Sequence, residues 1–555
     1  ERVREWWERL EVAGRIDVPT VRYRFKTPRQ PTSGFEVVVD VTNGTLRVPM
    51  EAWNSRREIE ARQMFAGWAE GLPRRFAEPT VAALLPPPVT LENVTGRFRF
   101  TQSSVTIEQL IGKLEGSPLQ IEGRAEGYGL DSPARFSIST PRTFYLPADA
   151  PYITGMPRPV REVYERFQPS GVAELELTLE RQTRGGRVRT GGDIRVVDGN
   201  FAFEKLPYPV RNATGTISFG TDVHTDDDVL AITDLVGFGP PDTPNADAVV
   251  SVNGQIRPLG RYAGVDFTIT GTDVTTTAAL RAALPGPVQR TFEAFDVPDD
   301  GQEPRVSGDF TCTLLRTPGR DGRWNIVTTL QLRDGVGRFV QFPYPLENLR
   351  GTLRVERDRA LLDEIITDHD GGTAQLDGVI RFDRLADGTR PVRPTLNLTA
   401  RNLPFDEALE NALEPEQAAA LRKLRPTGRF DIDGTIGTDA DNRPTFDLNA
   451  VVRAGSLHPL AGEFATAFDT VNLRLRPDVI DFTGSSETVR ATGSVRAVPD
   501  APPVLDVNVV AVGLELTEAL RADLPETARF AWDWLDLMGR TDAELAFTGP
   551  LGGDA

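Results

Sequence analysis

One pattern recurs along the chain: a short stretch with apolar residues at helical spacing, a glycine, then a strand of alternating polarity. Val3, Trp6, Trp7 and Leu10 precede Gly14, and Val160, Val163, Tyr164 and Phe167 precede Gly171. Ala420, Leu421 and Leu424 precede Gly428, and Ala528, Trp532 and Leu535 precede Gly539. In each, an apolar residue stands four before the glycine and another seven before it, which predicts an amphipathic helix closed by glycine. A fifth copy, with Val288, Phe292 and Phe295, has its glycine delayed to Gly308 by the insertion at 296–308. The five glycines are spaced 157, 137, 120 and 111 residues apart. A second landmark, a strand ending in a turn glycine, recurs at Gly44, Gly199, Gly335 and Gly455 with spacings of 155, 136 and 120. Two landmarks in one register make this a repeat protein, whose units bury their apolar faces by stacking.

The period divides the chain into a helix at 1–14 that closes a preceding module, modules at 15–171, 172–308, 309–428 and 429–539, and the start of another at 540–555. Two further landmarks fall inside the modules. The strands GRFRF, GTISF, GTLRV and NLRLR follow a corner, which in modules two and three reads Pro207-Tyr208-Pro209 with Asn212 and Gly215, and Pro343-Tyr344-Pro345 with Asn348 and Gly351. Module four has HPLAGEF there. Glycine-bearing strands recur as LQIEGRAEG, VVSVNGQIRP, AQLDGVIRF and VRATGSVRA. Prolines cannot donate to a ladder, so the corners mark bends between strands. No helix pattern lies between consecutive strands within a module, so neighbours are expected to pair antiparallel as a meander. The expected fold class is mainly β: an elongated antiparallel β-meander repeat array with one short amphipathic helix per module. Module one carries a helical insertion at about 50–88. Its Trp53, Met64, Phe65 and Trp68 form a small satellite core or a surface for an envelope protein partner.

Composition narrows the function classes. A net charge of −18 and a pI near 4.9 argue against nucleic acid, which needs clustered Lys and Arg. One cysteine, Cys312, excludes an internal disulfide framework and reads as a small strand residue. No apolar run has the length of a membrane-spanning helix, and the opening ERVREWWERL is not a signal peptide. We expect a segment whose targeting and anchoring parts lie elsewhere. His224, His369 and His458 are scattered, and the acidic stretches 224–228, 368–372 and 439–442 read as solvated turns, since none completes a calcium loop. G-x-S-x-G, P-loop, CxxC and HExxH motifs are absent from the sequence. We therefore expect no enzyme, no catalytic or metal residue, and no cofactor.

The strands have one apolar and one charged phase, as in Phe35, Val37, Val39 and Val41 against Glu36 and Asp40. Such a face is either packed by its own side chains or forms a trough for hydrocarbon. The candidate lining is Val37, Val39, Phe98, Phe100, Ile217, Phe219, Leu330, Leu332, Leu353, Val355, Leu473 and Leu475. The residues Leu206 to Gly215, Phe342 to Gly351, and the helix-to-glycine segments at Gly14, Gly171, Gly428 and Gly539 resemble the AsmA-like superfamily of bacterial envelope proteins, which includes TamB and the long lipid-bridge proteins. The resemblance covers essentially the whole chain as a loose pattern. It implies a taco-shaped β-groove that carries phospholipid between inner and outer membranes, in the periplasm, anchored through parts outside this segment. Two alternatives stand beside it: a structural or adhesive β-repeat array with a dry core, and a chaperone-like groove for outer-membrane strands.

Overall fold

The computed structural model describes residues 2–550 except 28–32, 50–62, 67–87, 147–152, 154–157, 205, 223, 261, 285, 295–305, 341, 383–391, 414, 440–442, 459–464, 499–500 and 525. The protein is mainly β, with 27 strands among the described residues. It divides into two compact units, residues 1–272 with 311–326, and residues 273–310 with 327–555.

In the first unit each strand pairs antiparallel with the next, from Ala13–Arg24 through Val265–Thr275. The three-residue strand Phe144–Leu146 is the exception, sharing its partner with Ala134–Ser139. The second unit repeats the meander through Arg540–Pro550, with a small hairpin at Gly337–Phe339. Short turns impose this topology. Glu115-Gly116 and Asp370-Gly371 each place two residues at positive φ between paired ends, the two-residue hairpin whose twist suits the flanking strands.

The meander is bent at recurring bulges. Asn43, Asn93, Asn212, Asn348 and Asn402 adopt φ of 49° to 58°, and each sits at a shift in strand register. Asparagine tolerates this left-handed conformation, and a bulge bends its strand and increases the twist. The Asn of the Pro-Tyr-Pro corner is thus a bulge residue. The tyrosine is an anchor. Tyr208 is buried, and its hydroxyl accepts a 2.9 Å hydrogen bond from the amide of fully buried Asn245, whereas the buried Tyr344 hydroxyl has no partner among the described residues. Burial and the carboxylates of Asp406, Glu347 and Asp370 push the Tyr344 phenol well above its ordinary range. Tyr208→Phe should therefore cost about 0.5–1.5 kcal/mol by removing the hydroxyl that accepts from Asn245, while Tyr344→Phe should change stability little. Urea unfolding of the two variants checks the difference.

The first two landmarks meet in space. A Cβ built on Gly14 would stand 2.4 Å from the Cα of Gly44, one on Gly171 2.9 Å from that of Gly199, and one on Gly428 3.0 Å from that of Gly455. Helix-closing and turn glycines recur together because two backbones pass at a distance that a side chain forbids. Gly308 departs from this pattern. It lies against the carbonyl of Gln331 instead of Gly335, so the landmark delayed by the insertion occupies a different place.

The charged phase of the strands forms cross-strand ladders. Arg97 grips Asp40 with two bonds of 2.7 and 2.9 Å, and Arg401–Asp433, Arg474–Asp447 and Arg350–Asp368 repeat the arrangement. Each arginine hydrogen bond holds its aspartate below the ordinary value of 3.8. A carboxylate with a depressed folded pKa contributes stability that is present above its unfolded value and is lost as pH falls through the folded one. The urea midpoint should accordingly hold at neutral pH and fall below about pH 4, less steeply in high salt because these pairs are solvent-facing. A midpoint flat to pH 2 would remove the ladders from the stability of the sheet.

Candidate functional site

Apolar side chains line up across the strands. In the first unit Val37 faces Phe100, which faces Val105, and Val39 faces Phe98, which faces Ile107. Further along, Leu175, Ile194, Ile217 and Ile232 occupy successive strands in one row. In the second unit Leu330, Leu353 and Leu362 continue across Gly378 to Leu396 and Ile436. Ala450, Leu473 and Phe482 form another row.

The glycine-bearing strands have a packing role in these rows. A Cβ on Gly123 would stand 2.3 Å from the Phe136 ring, one on Gly254 2.5 Å from Phe267, and one on Gly493 2.6 Å from Phe482. The missing side chain gives a neighbouring aromatic room to lie across the strand. Phe267, laid over Gly254, then receives the helix above. Its ring is 6.1 Å from that of Phe167 and 5.7 Å from that of Phe203.

Short helices cover the apolar face. From the helix Arg2–Arg9, Trp6 and Trp7 set their edges against Phe98 and Phe100 at centroid distances of 5.5 to 6.3 Å. From Arg158–Phe167, Phe167 stacks on Phe203 at 5.1 Å. From Gly286–Ala294, Val288 and Phe292 join Leu353, Val355 and Leu362 in one core, with Leu330 and Leu332 packed against it. Leu473 packs against Ala400, Phe430 and Val452.

Of the candidate lining residues, Val39, Phe98, Phe100, Ile217, Phe219, Leu353 and Val355 are buried, and Val37, Leu330, Leu332, Leu473 and Leu475 are half-buried. Beside Ile217, a cavity of about 20 Å³ lies between Tyr164, Phe167 and the strands, room for about one water molecule. Protein side chains therefore occupy the face above Phe98, Ile217 and Leu353.

Each later helix has a short companion that its sequence also announces. Ala278–Ala283, Glu407–Ala412 and Glu518–Asp523 begin after Thr277, Asp406 and Thr517, whose side chains accept from the amides of Leu280, Leu409 and Leu520. The shared signal is T/D-x-A-L-x-x-x-L, an N-cap three residues before a leucine that is buried at Leu280 and Leu520 and half-buried at Leu409. The expectation of one helix per module overlooked it, because six residues are less than two turns and show little periodicity. Links tie the companions to their partners: Gln289 donates to the carbonyls of Arg281 and Leu284, Arg422 pairs with Glu410, and Arg521 with Asp533 at 2.7 Å.

The remaining sequence candidates fall in varied places. Cys312 is buried in the strand Val306–Arg316. His369 is paired at 2.8 Å with Asp406, the helix cap, so it joins a strand to a helix start. Among the described residues no group of three His, Cys, Asp or Glu is placed to hold a metal ion. No described helix is long and apolar enough to cross a membrane. Within the 50–88 insertion, Met64 and Phe65 are exposed, and Trp53 and Trp68 lie outside the described residues. Residues 440–442 of the acidic stretch 439–442 and the HPLAGEF stretch beyond His458 also lie outside them.

The fold and face define a class, an antiparallel β-meander repeat with its apolar face capped by short helices. No protein-family model, curated protein or solved structure matches the chain.

Proposed function

We propose that the protein carries phospholipid acyl chains along the apolar face of its sheet, as one segment of a route between the inner and outer membranes of a bacterial envelope. The observation that carries this reading is the row Leu330, Leu353, Leu362, Leu396 and Ile436, which runs across the strands and is broken only by Gly378. A hydrocarbon chain laid along such a row gains about 0.8 kcal/mol per buried CH₂ wherever it stops, so it is held without being fixed. The charged ladders on the other phase keep the opposite face in water. Because Val288 and Phe292 rest on the same row, carriage requires the covering helices to yield their place to lipid.

The purified protein should bring phospholipid with it, detected by mass spectrometry after organic extraction. Leu475→Asp, at a half-buried position of the same face, should reduce the bound lipid at least severalfold with the fold intact by circular dichroism. Lipid-free protein that also refuses added phospholipid would sink the proposal. Complete burial of Phe98 and Phe100 under Trp6 favours the second reading, a dry repeat array acting through its outer surface.

A further inference from the structure

One row of the apolar face is closed in three repeats and open in the fourth. Thr328, Val355, Ala360, Ile380 and Pro394 face one another on successive strands, and Val355, Ala360 and Ile380 are no more than 1% exposed. The matching rows of the first unit, Phe219, Leu230, Ile256 and Val265, and Phe100, Val105 and Ala125, are buried as well. In the fourth repeat Leu448, Leu475, Ile480, Val495 and Leu505 hold the same places, and every one is only half-buried. Two local differences open the row. Leu259 and Phe382 follow the glycine-bearing strands, and their amides donate to the carbonyls of Asp228 and Asp358, two residues before Leu230 and Ala360; both side chains are buried, Phe382 in one core with Val355, Ala360 and Ile380. Ala497 makes the same bond, 2.9 Å to the carbonyl of Asp478, but brings only a methyl group and is exposed. The covering helix differs too: earlier helices set Trp6, Phe167 and Phe292 on the sheet, whereas Pro415–Leu424 has no aromatic residue and buries Ala418. The strands beneath, Pro444–Leu457 through Val489–Val498, are paired along both edges.

We propose that this row is a resting site for one acyl chain of an anionic phospholipid, with the phosphate at Arg476 and Arg496. Because the ladders on both sides already use the backbone groups of these strands, an occupant finds no hydrogen-bond partners along the row, which suits hydrocarbon and not an extended peptide. From Leu448 to Leu505 the row crosses four strand spacings, about 19 Å at ~4.8 Å each. One leaflet of a bilayer's hydrocarbon core is about 15 Å thick, so a single chain fits. The charge at its end matches as well. Arg476 and Arg496 flank Val479 on neighbouring strands. Arg476 pairs with Asp481 through Nη2, and its buried Nε has no partner among the described residues. The residue after Val355, at the same place in the preceding repeat, is Glu356. This site rests on the lipid-carrying reading and gives it a place where a chain can settle without displacing a ring.

The test irradiates the whole chain with phosphatidylglycerol carrying a diazirine midway along one acyl chain and maps the adducts by mass spectrometry. They should concentrate on residues 444–498 and be competed by unlabelled phosphatidylglycerol but not by inorganic phosphate. Ala497→Phe, which restores the side chain found at Phe382, and Val495→Phe, which fills the row from within, should each cut the adducts severalfold without lowering the urea midpoint. Arg496→Glu should cut them as well. Adducts spread evenly over both units, or unchanged in both folded phenylalanine variants, would overturn the resting site and leave lipid carriage standing. No adducts anywhere, with no co-purifying lipid, would overturn both. Competition by inorganic phosphate would assign the arginines to free phosphate, and a dimer that Leu475→Asp dissolves would assign the row to a second copy of the chain; either result overturns the proposal.

Discussion

Gly254→Val should lower the stability of the first unit by about 2–5 kcal/mol, among the largest effects of any single substitution in the protein. Two costs combine. Gly254 has φ of +150°, a conformation that a β-branched residue strongly resists. Its new Cβ would also stand 2.1 Å from the Asp266 carbonyl and 2.5 Å from the Phe267 ring. Phe267 cannot move away cheaply, because Phe167 and Phe203 are packed against it. The strain therefore passes from strand to helix, and the Arg158–Phe167 helix should loosen with the sheet. Gly220→Val supplies the control, since a Cβ there meets nothing within 4 Å. It should move the urea midpoint by no more than about 0.5 kcal/mol equivalent. Equal effects at the two positions would refute the packing role of the glycine-bearing strands.

Phe98→Ala should cost about 3–5 kcal/mol, because the ring is fully buried between the Trp6 and Trp7 edges and the neighbouring Phe100. The same variant separates the two readings of the face. On a lipid-carrying face, the vacated space lies on the path of an acyl chain, and added phospholipid should restore part of the lost stability by binding the folded state. In a dry core it should restore none. The measurement is the urea midpoint of the variant with and without phospholipid. Leu353→Asp is a poorer probe of transport, because Leu353 is buried in the second unit's core and a carboxylate there should damage the fold before it blocks passage.

Much of this architecture was legible in the chain because its signals are local. Alternation in VVVDVTNG and LQLRDG marks strands whatever surrounds them, and glycine is required where two backbones nearly touch, so its spacing announced the repeat. The antiparallel meander followed from the turn chemistry and the lack of crossover helices. The paired short helices were legible too, through Thr277, Asp406 and Thr517, but a six-residue helix leaves only its cap as a signal.

Other features were decided in three dimensions. Polarity assigned Phe98, Ile217 and Leu353 to the apolar face, but only packing showed that Trp6, Phe167 and Phe292 come from helices to lie in the same cores. Alternation reports which side of a strand avoids water and carries no information about what excludes the water, since a ring from a distant helix and a hydrocarbon chain satisfy it equally. The corner tyrosines show the same division. Tyr208 and Tyr344 stand in nearly identical sequence, and only the fold gives one hydroxyl a buried amide, which is 37 residues away along the chain, and gives the other no partner among the described residues.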